Sequence, residues 1–135
     1  MLTIPRNAHT SVSLPISDFG RHHTYLKIRD RLSYAFALVS VAAALKLKDG
    51  VISDVRVALG GVAHKPWRDR ETEKQLLGQP PENARFAGFA EQLLQGAKGQ
   101  GENDFKIDLA HRAIVRALEQ AHAGTPQDQS AKSLN

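Results

Sequence analysis

Residues 41–60 read VAAALKLKDGVISDVRVALG, and their alternation decides the fold. Val41, Ala43, Leu45 and Leu47 alternate with Ala42, Ala44, Lys46 and Lys48. A period of two places the first set on one face of a strand and the second on the other. Beyond the turn, Val51, Val55, Val57 and Leu59 share a parity, and Asp49-Gly50 stands between the two runs. A two-residue type I′ turn needs positive φ at both central positions, which Asp-Gly supplies. The stretch therefore predicts a β-hairpin, with Ser53-Asp54 marking a bulge or bend in its second strand.

Working outward, Gly60-Gly61 closes the alternation. Pro66 has no N–H for a sheet ladder, so Lys65-Pro66-Trp67 reads as an edge segment or turn. Trp67 is expected to cover the sheet end, with Arg68 at the rim. Glu71 to Leu77 reads as a short helix, with Gly78 at its C′ position and Pro80 preventing continuation. Asn83 can cap a second helix whose stripe is Phe86, Phe89, Ala90, Leu93, Leu94 and Ala97. Asn103 or Asp104 opens a third, with Ile107, Ala110, Ile114, Ala117 and Leu118 on one face. Strands followed by helices predict an α+β fold: an antiparallel sheet of three or four strands with about three helices packed on one face. Lys46 and Lys48 leave the other face wet or covered by a partner. Residues 1–24 read as a flexible N-terminal arm, 25–121 as the domain and 122–135 as a disordered tail.

Composition excludes whole classes of chemistry. A length of 135 residues suits one domain. The chain has no cysteine, so disulfides, cysteine nucleophiles and cysteine-ligated zinc or iron–sulfur sites are ruled out. No apolar run reaches the roughly 18 residues a membrane helix needs. The N-terminus lacks a basic region followed by an apolar one, so the expectation is a cytoplasmic protein, or a periplasmic one carried by a partner's export signal. The net charge is +4, but Arg21, Lys27, Arg29 and Arg31 are the one dense group of cations, with Asp30 inside it. Such charge is weak ground for nucleic acid. Among six histidines, His22 and His23 are adjacent and diverge in regular structure, and His9 and His122 lie in the arm and tail. His111 pairs only with Asp108 at i,i+3, too few ligands for a metal site. His64 is of the residue type that serves as a general base, yet no nucleophile or carboxylate accompanies it at a recognisable spacing. Gly60-Gly61 lacks the GxGxxG and GxxxxGK[ST] patterns of phosphate loops and reads as a strand end or close backbone approach. The residues alone give an α+β module with no complete active site and no catalytic or metal residue.

Three stretches taken together carry a resemblance: YLKIRDRLSYAFALVSVAAAL (25–45), DGVISDVRVALGGVAHKPWR (49–68) and NDFKIDLAHRAIVRALEQA (103–121). Their order and spacing resemble the C-terminal domain of the FAD-binding medium subunit of the xanthine dehydrogenase, carbon monoxide dehydrogenase and aldehyde oxidoreductase family. The resemblance implies an accessory domain of a molybdo-flavoprotein oxidoreductase, not catalytic alone. In such complexes the medium subunit passes electrons between iron–sulfur clusters and FAD, and a molybdenum cofactor in another subunit performs the hydroxylation. The implied partners are an FAD-binding domain and the iron–sulfur and molybdopterin subunits. FAD is the implied cofactor of the full assembly, with none expected on this chain alone. By the same resemblance the segment matching Tyr25–Arg31 lies near the flavin, so Lys27 is the leading cofactor-binding residue, with Arg29 and Arg31 behind it. An exposed docking surface would let the isolated chain form homo-oligomers. The alternative is a stand-alone basic binding module that presents the same three cations to an anionic partner.

Overall fold

The computed structural model describes residues 11–13, 16, 18–31, 33–99 and 101–125. Strands β1 (His23–Ile28), β2 (Val39–Lys48) and β3 (Val51–Gly60) precede helices α1 (Arg70–Lys74), α2 (Asn83–Leu93) and α3 (Phe105–Ala123). The strands form one antiparallel sheet in the order β1-β2-β3, the α+β architecture expected. The arm and tail of the sequence reading fall mostly outside the described residues.

The hairpin forms as its alternation requires. Lys48 pairs with Val51 across Asp49 and Gly50, whose φ angles are 54° and 79°, the two left-handed positions of a type I′ turn. Leu47 pairs with Ile52 and Lys46 with Asp54, so Ser53 is the extra residue of a bulge. Its hydroxyl donates to the Lys46 carbonyl at 3.0 Å. One extra residue exchanges the two faces. The buried residues of β3 are therefore Ile52, then Val55, Val57 and Leu59. Val51, grouped with the inward set by parity, is only half-buried.

Val39, Val41, Ala43 and Leu45 of β2 are buried in one core with these residues. α3 lies on β1 and β2, and α2 packs on α3. The buried stripe of α3 is mostly alanine (Ala110, Ala113, Ala117, Ala121) with Ile114 and Leu118, so the helix backbone approaches the sheet closely. α2 contributes Phe86, Phe89, Ala90 and Leu93. It ends at Leu93, leaving Ala97 exposed beyond it. Asn83 does not cap α2. Glu82 holds that position, and the Asn83 amide donates to Glu119 of α3 at 2.6 Å. Asp104 takes the N-cap position of α3, without a side-chain cap bond.

α1 is shorter than expected, ending at Lys74. Its N-cap is Asp69, whose carboxylate accepts from Glu71 N and from the Thr72 hydroxyl. The chain leaving it reaches the outer edge of β3, where Gly78 N donates to Ile52 O and Ile52 N to Gln79 O. Further along that edge Val57 N donates to the Glu73 carboxylate at 2.8 Å. Leu59 exchanges backbone bonds of 2.8 and 2.9 Å with Trp67. An edge strand with open N–H and C=O groups invites unwanted pairing, and this one is met at Ile52, Val57 and Leu59. Trp67 thus joins the sheet through its backbone. The residue as a whole is 48% exposed.

The two ends of the described domain meet. Thr125 N donates to Arg21 O at 2.6 Å, Arg21 Nε to Thr125 O at 3.0 Å, and the Thr125 hydroxyl to His23 O at 2.7 Å. His22 Nδ1 lies 3.1 Å from both the Ala121 and His122 carbonyls at the C-terminus of α3.

Candidate functional site on the open sheet face

Helices cover one face of the sheet only. The register orders the other face in rows across three strands: Lys27–Ser40–Gly60, Tyr25–Ala42–Ala58 and His23–Ala44–Arg56. Its centre is a floor of small side chains, rimmed by Tyr25 and Lys27 on β1 and by Arg56 on β3. A shallow recess of about 250 Å³ lies on it, lined by His23, Ala42, Ala44, Arg56 and Ala58 among others. Tyr25 is 67% exposed beside it. At Gly60 a Cβ would lie 2.4 Å from the Ser40 hydroxyl, which would have to rotate away to admit it. At Gly61, φ is +78° and a Cβ would lie 2.9 Å from the Leu38 carbonyl. The glycine pair therefore serves close approach of the β3 end to the segment entering β2.

The three cations singled out from the sequence separate. Lys27 stands exposed on the open face, in the row of Ser40 and Gly60. Arg29 lies just past the end of β1, exposed. Arg31 belongs to the connection to β2, where its Nη2 donates to the Tyr34 carbonyl at 2.7 Å. Tyr34 has a φ of 50°, uncommon for a bulky residue. Tyr34 and Phe36 are each 98% exposed. The structure thus sets one of the three cations on the floor's rim and the other two in the loop beyond it.

Other cations have anionic or carbonyl partners. Lys46 pairs with Asp18, and this hydrogen bond lowers the Asp18 carboxyl below its ordinary range. Arg56 stacks over the Phe19 ring, 4.7 Å from its centroid. Arg68 grips Glu73 with two bonds of 2.8 Å, and this hydrogen bonding raises the guanidinium's pKa further. Among the described residues, no three His, Asp or Glu side chains converge as a metal site. His64 lies in the exposed turn after β3.

Sequence reasoning missed the floor itself. Its signal was present in Ala42 and Ala44, which alternate with the core residues of β2 and are too small for a merely wetted face. Tyr25 was quoted but given no role.

Residues 23–121 match the family described as the CO dehydrogenase flavoprotein C-terminal domain. The aldehyde oxidoreductase FAD-binding subunit PaoB of Escherichia coli K12 is 43% identical over 120 residues. That match covers 89% of this chain and 34% of the relative. The glyceraldehyde dehydrogenase medium chain of Sulfolobus acidocaldarius is 41% identical over 70 residues, 52% of this chain and 24% of that one. Among solved structures, the carbon monoxide dehydrogenase of Hydrogenophaga pseudoflava superposes with a TM-score of 0.72 at 24% identity, over 82% of this chain and 39% of that one. Quinoline 2-oxidoreductase of Pseudomonas putida 86 gives 0.67 at 24%, over 84% and 39%. The likeness to these structures concerns the fold. The chain spans about a third of the length of the E. coli relative.

Proposed function

We propose, on the premise that this chain belongs to the CO dehydrogenase flavoprotein C-terminal domain family, that it serves as the accessory C-terminal domain of an FAD-binding medium subunit in a molybdo-flavoprotein oxidoreductase. The observation that supports this reading is the open sheet face, a flat small-residue floor with Tyr25 and Lys27 on its rim. Such a surface can receive a planar group or a packed domain, and a single cation beside it complements negative charge on a flavin or its diphosphate. Lys27 is the residue that would hold FAD from this side. Arg29 stands next to it along the chain, and Arg31 positions the loop through the Tyr34 carbonyl. FAD, when bound, supplies the electron relay between iron–sulfur clusters and the final acceptor. The chain's own residues supply charge, a floor and exclusion of water. The other partners would be the iron–sulfur and molybdopterin subunits, in the cytoplasm or carried outward with an exported partner.

The test is a chimera in which this chain replaces the matching C-terminal third of the E. coli relative's FAD-binding subunit. The chimera is expected to retain FAD, read as flavin absorbance per subunit. Lys27→Ala in it should weaken retention about tenfold, the loss of one charge-assisted contact. Unchanged retention in Lys27→Ala removes the lysine's role, and a folded chimera without flavin removes the domain assignment.

A further inference from the structure

We infer that the outer edge of β1 is a dimer interface, on which a second copy of this chain adds its own β1 antiparallel to the first. The two edges of the sheet are unlike. β3 is met by Gln79, Glu73 and Trp67 at Ile52, Val57 and Leu59. β1 is the other edge. In an antiparallel ladder the N–H and C=O of one residue point to the same side, and successive residues alternate. Leu45 N donates to His22 O and Leu38 N to Ile28 O, so His22 and the even-numbered residues after it serve β2. The N–H and C=O groups of His23, Tyr25 and Lys27 therefore point outward. The Thr125 hydroxyl takes the His23 carbonyl. Among the described residues, nothing meets Tyr25 or Lys27 at this edge. The inward side chains beside it are unfinished in the same way. Leu26 and Ile28 stay only partly buried, whereas Val41, Val57 and Leu59 are at most 1% exposed.

Register commits the occupant. Tyr25 and Lys27 flank Leu26 on either side. A twofold axis through Leu26 sets Tyr25 of each copy opposite Lys27 of the other, and each such pair exchanges both N–H···O bonds. An axis at Tyr25 would set Lys27 against His23, whose carbonyl is already taken. An axis at Lys27 would set lysine against lysine, which is unfavourable. Centred on Leu26, the pairing uses the open groups of both residues and places each ammonium beside an aromatic ring. A lysine on an exposed edge ordinarily discourages pairing, and here the same strand supplies its counterpart. On the inward face the two Leu26 side chains meet and leave water. Such an isologous contact closes at two copies. It is independent of the flavin reading above, because it uses the backbone of Lys27 and leaves the side chain on the open face.

Amide exchange on the full chain reads this edge residue by residue. In dilute solution the Tyr25 and Lys27 amides should exchange faster than those of Thr24 and Leu26, which bond to β2. Concentrating the protein should slow Tyr25 and Lys27, while sedimentation velocity passes from monomer to dimer. Tyr25→Pro removes an N–H that β2 does not use, and should weaken association about tenfold or more, with one hydrogen bond lost from each copy. Should that variant misfold, Tyr25→Lys gives the same readout by setting like charges opposite each other. The chain has no cysteine, so Leu26→Cys adds a direct check. It should cross-link to its copy under mild oxidation, and Tyr25→Cys, displaced from its own counterpart, should not. A monomer at every concentration overturns the interface. So does protection of Tyr25 and Lys27 that is the same at all concentrations, because the occupant then lies within the chain. A dimer that Tyr25→Pro leaves intact, or that Tyr25→Cys traps as well as Leu26→Cys does, forms elsewhere and overturns it too.

Discussion

Glu73 is one residue on which three parts of the molecule converge. Its carboxylate accepts from the Val57 backbone and from both arms of Arg68 while 5% exposed. Removing the carboxylate leaves the buried Val57 N–H without its acceptor, while Arg68, a third exposed, falls back on water. Glu73→Ala should therefore lower stability by about 2 kcal/mol, measured by urea unfolding. Glu73→Gln, which can still accept from Val57 N, should lose less. Asp69, four residues earlier, behaves differently. The Thr72 hydroxyl and then the Glu71 N–H hold its carboxyl below the ordinary value. A depressed acid stabilises the fold above its unfolded-state pKa, and this contribution fades as pH falls through the native value. The gap in Tm between the parent chain and Asp69→Asn should thus be open at neutral pH and close in acid below about pH 4. A gap constant down to pH 2 would contradict this account.

At the scale of elements, the turns separate what was legible from what was not. Asp49-Gly50 announced the hairpin because few dipeptides tolerate its two left-handed angles. The inward face of β3 was legible only after Ser53, since a bulge changes parity without changing residue type. β1 escaped notice because it offers just Thr24, Leu26 and Ile28 inward, too short a run to show a period. The Asn83 cap misled for a related reason: an asparagine before an apolar stripe also suits a helix-to-helix bond, and Glu119 is invisible as a partner in sequence. Of the site, Lys27 came from resemblance, whereas the floor depends on register across strands that no local pattern records. Two glycines test these elements. Gly50→Ala has open space around its Cβ and should lose about 1 kcal/mol for its positive φ. Gly61→Ala adds a backbone clash with Leu38 to the same φ penalty, so its Tm should fall further.

At the scale of the whole molecule, one sheet face is a finished core and the other is a surface prepared for contact. The covered face is built mostly from branched residues of β2 and β3, in one cluster with residues of α2 and α3, and it accounts for folding. The open face offers only the small-residue floor with Tyr25 and Lys27 beside it, too little to enclose a flavin. The isolated chain is accordingly expected to leave flavin fluorescence unchanged. Quenching at micromolar protein would show a more complete pocket than Lys27 and the floor provide. Among the described residues, no helix is long and apolar enough to cross a membrane.

The clasp between Arg21 and Thr125 has a genetic meaning. Where a domain's way in and way out touch, it behaves as a cassette: it can be spliced between other segments, or moved by recombination, without stretching what flanks it. It can also be rewired. A short glycine-rich join from Thr125 to Arg21, with new ends opened at Lys98-Gly99, should yield a circular permutant whose circular dichroism matches the parent's.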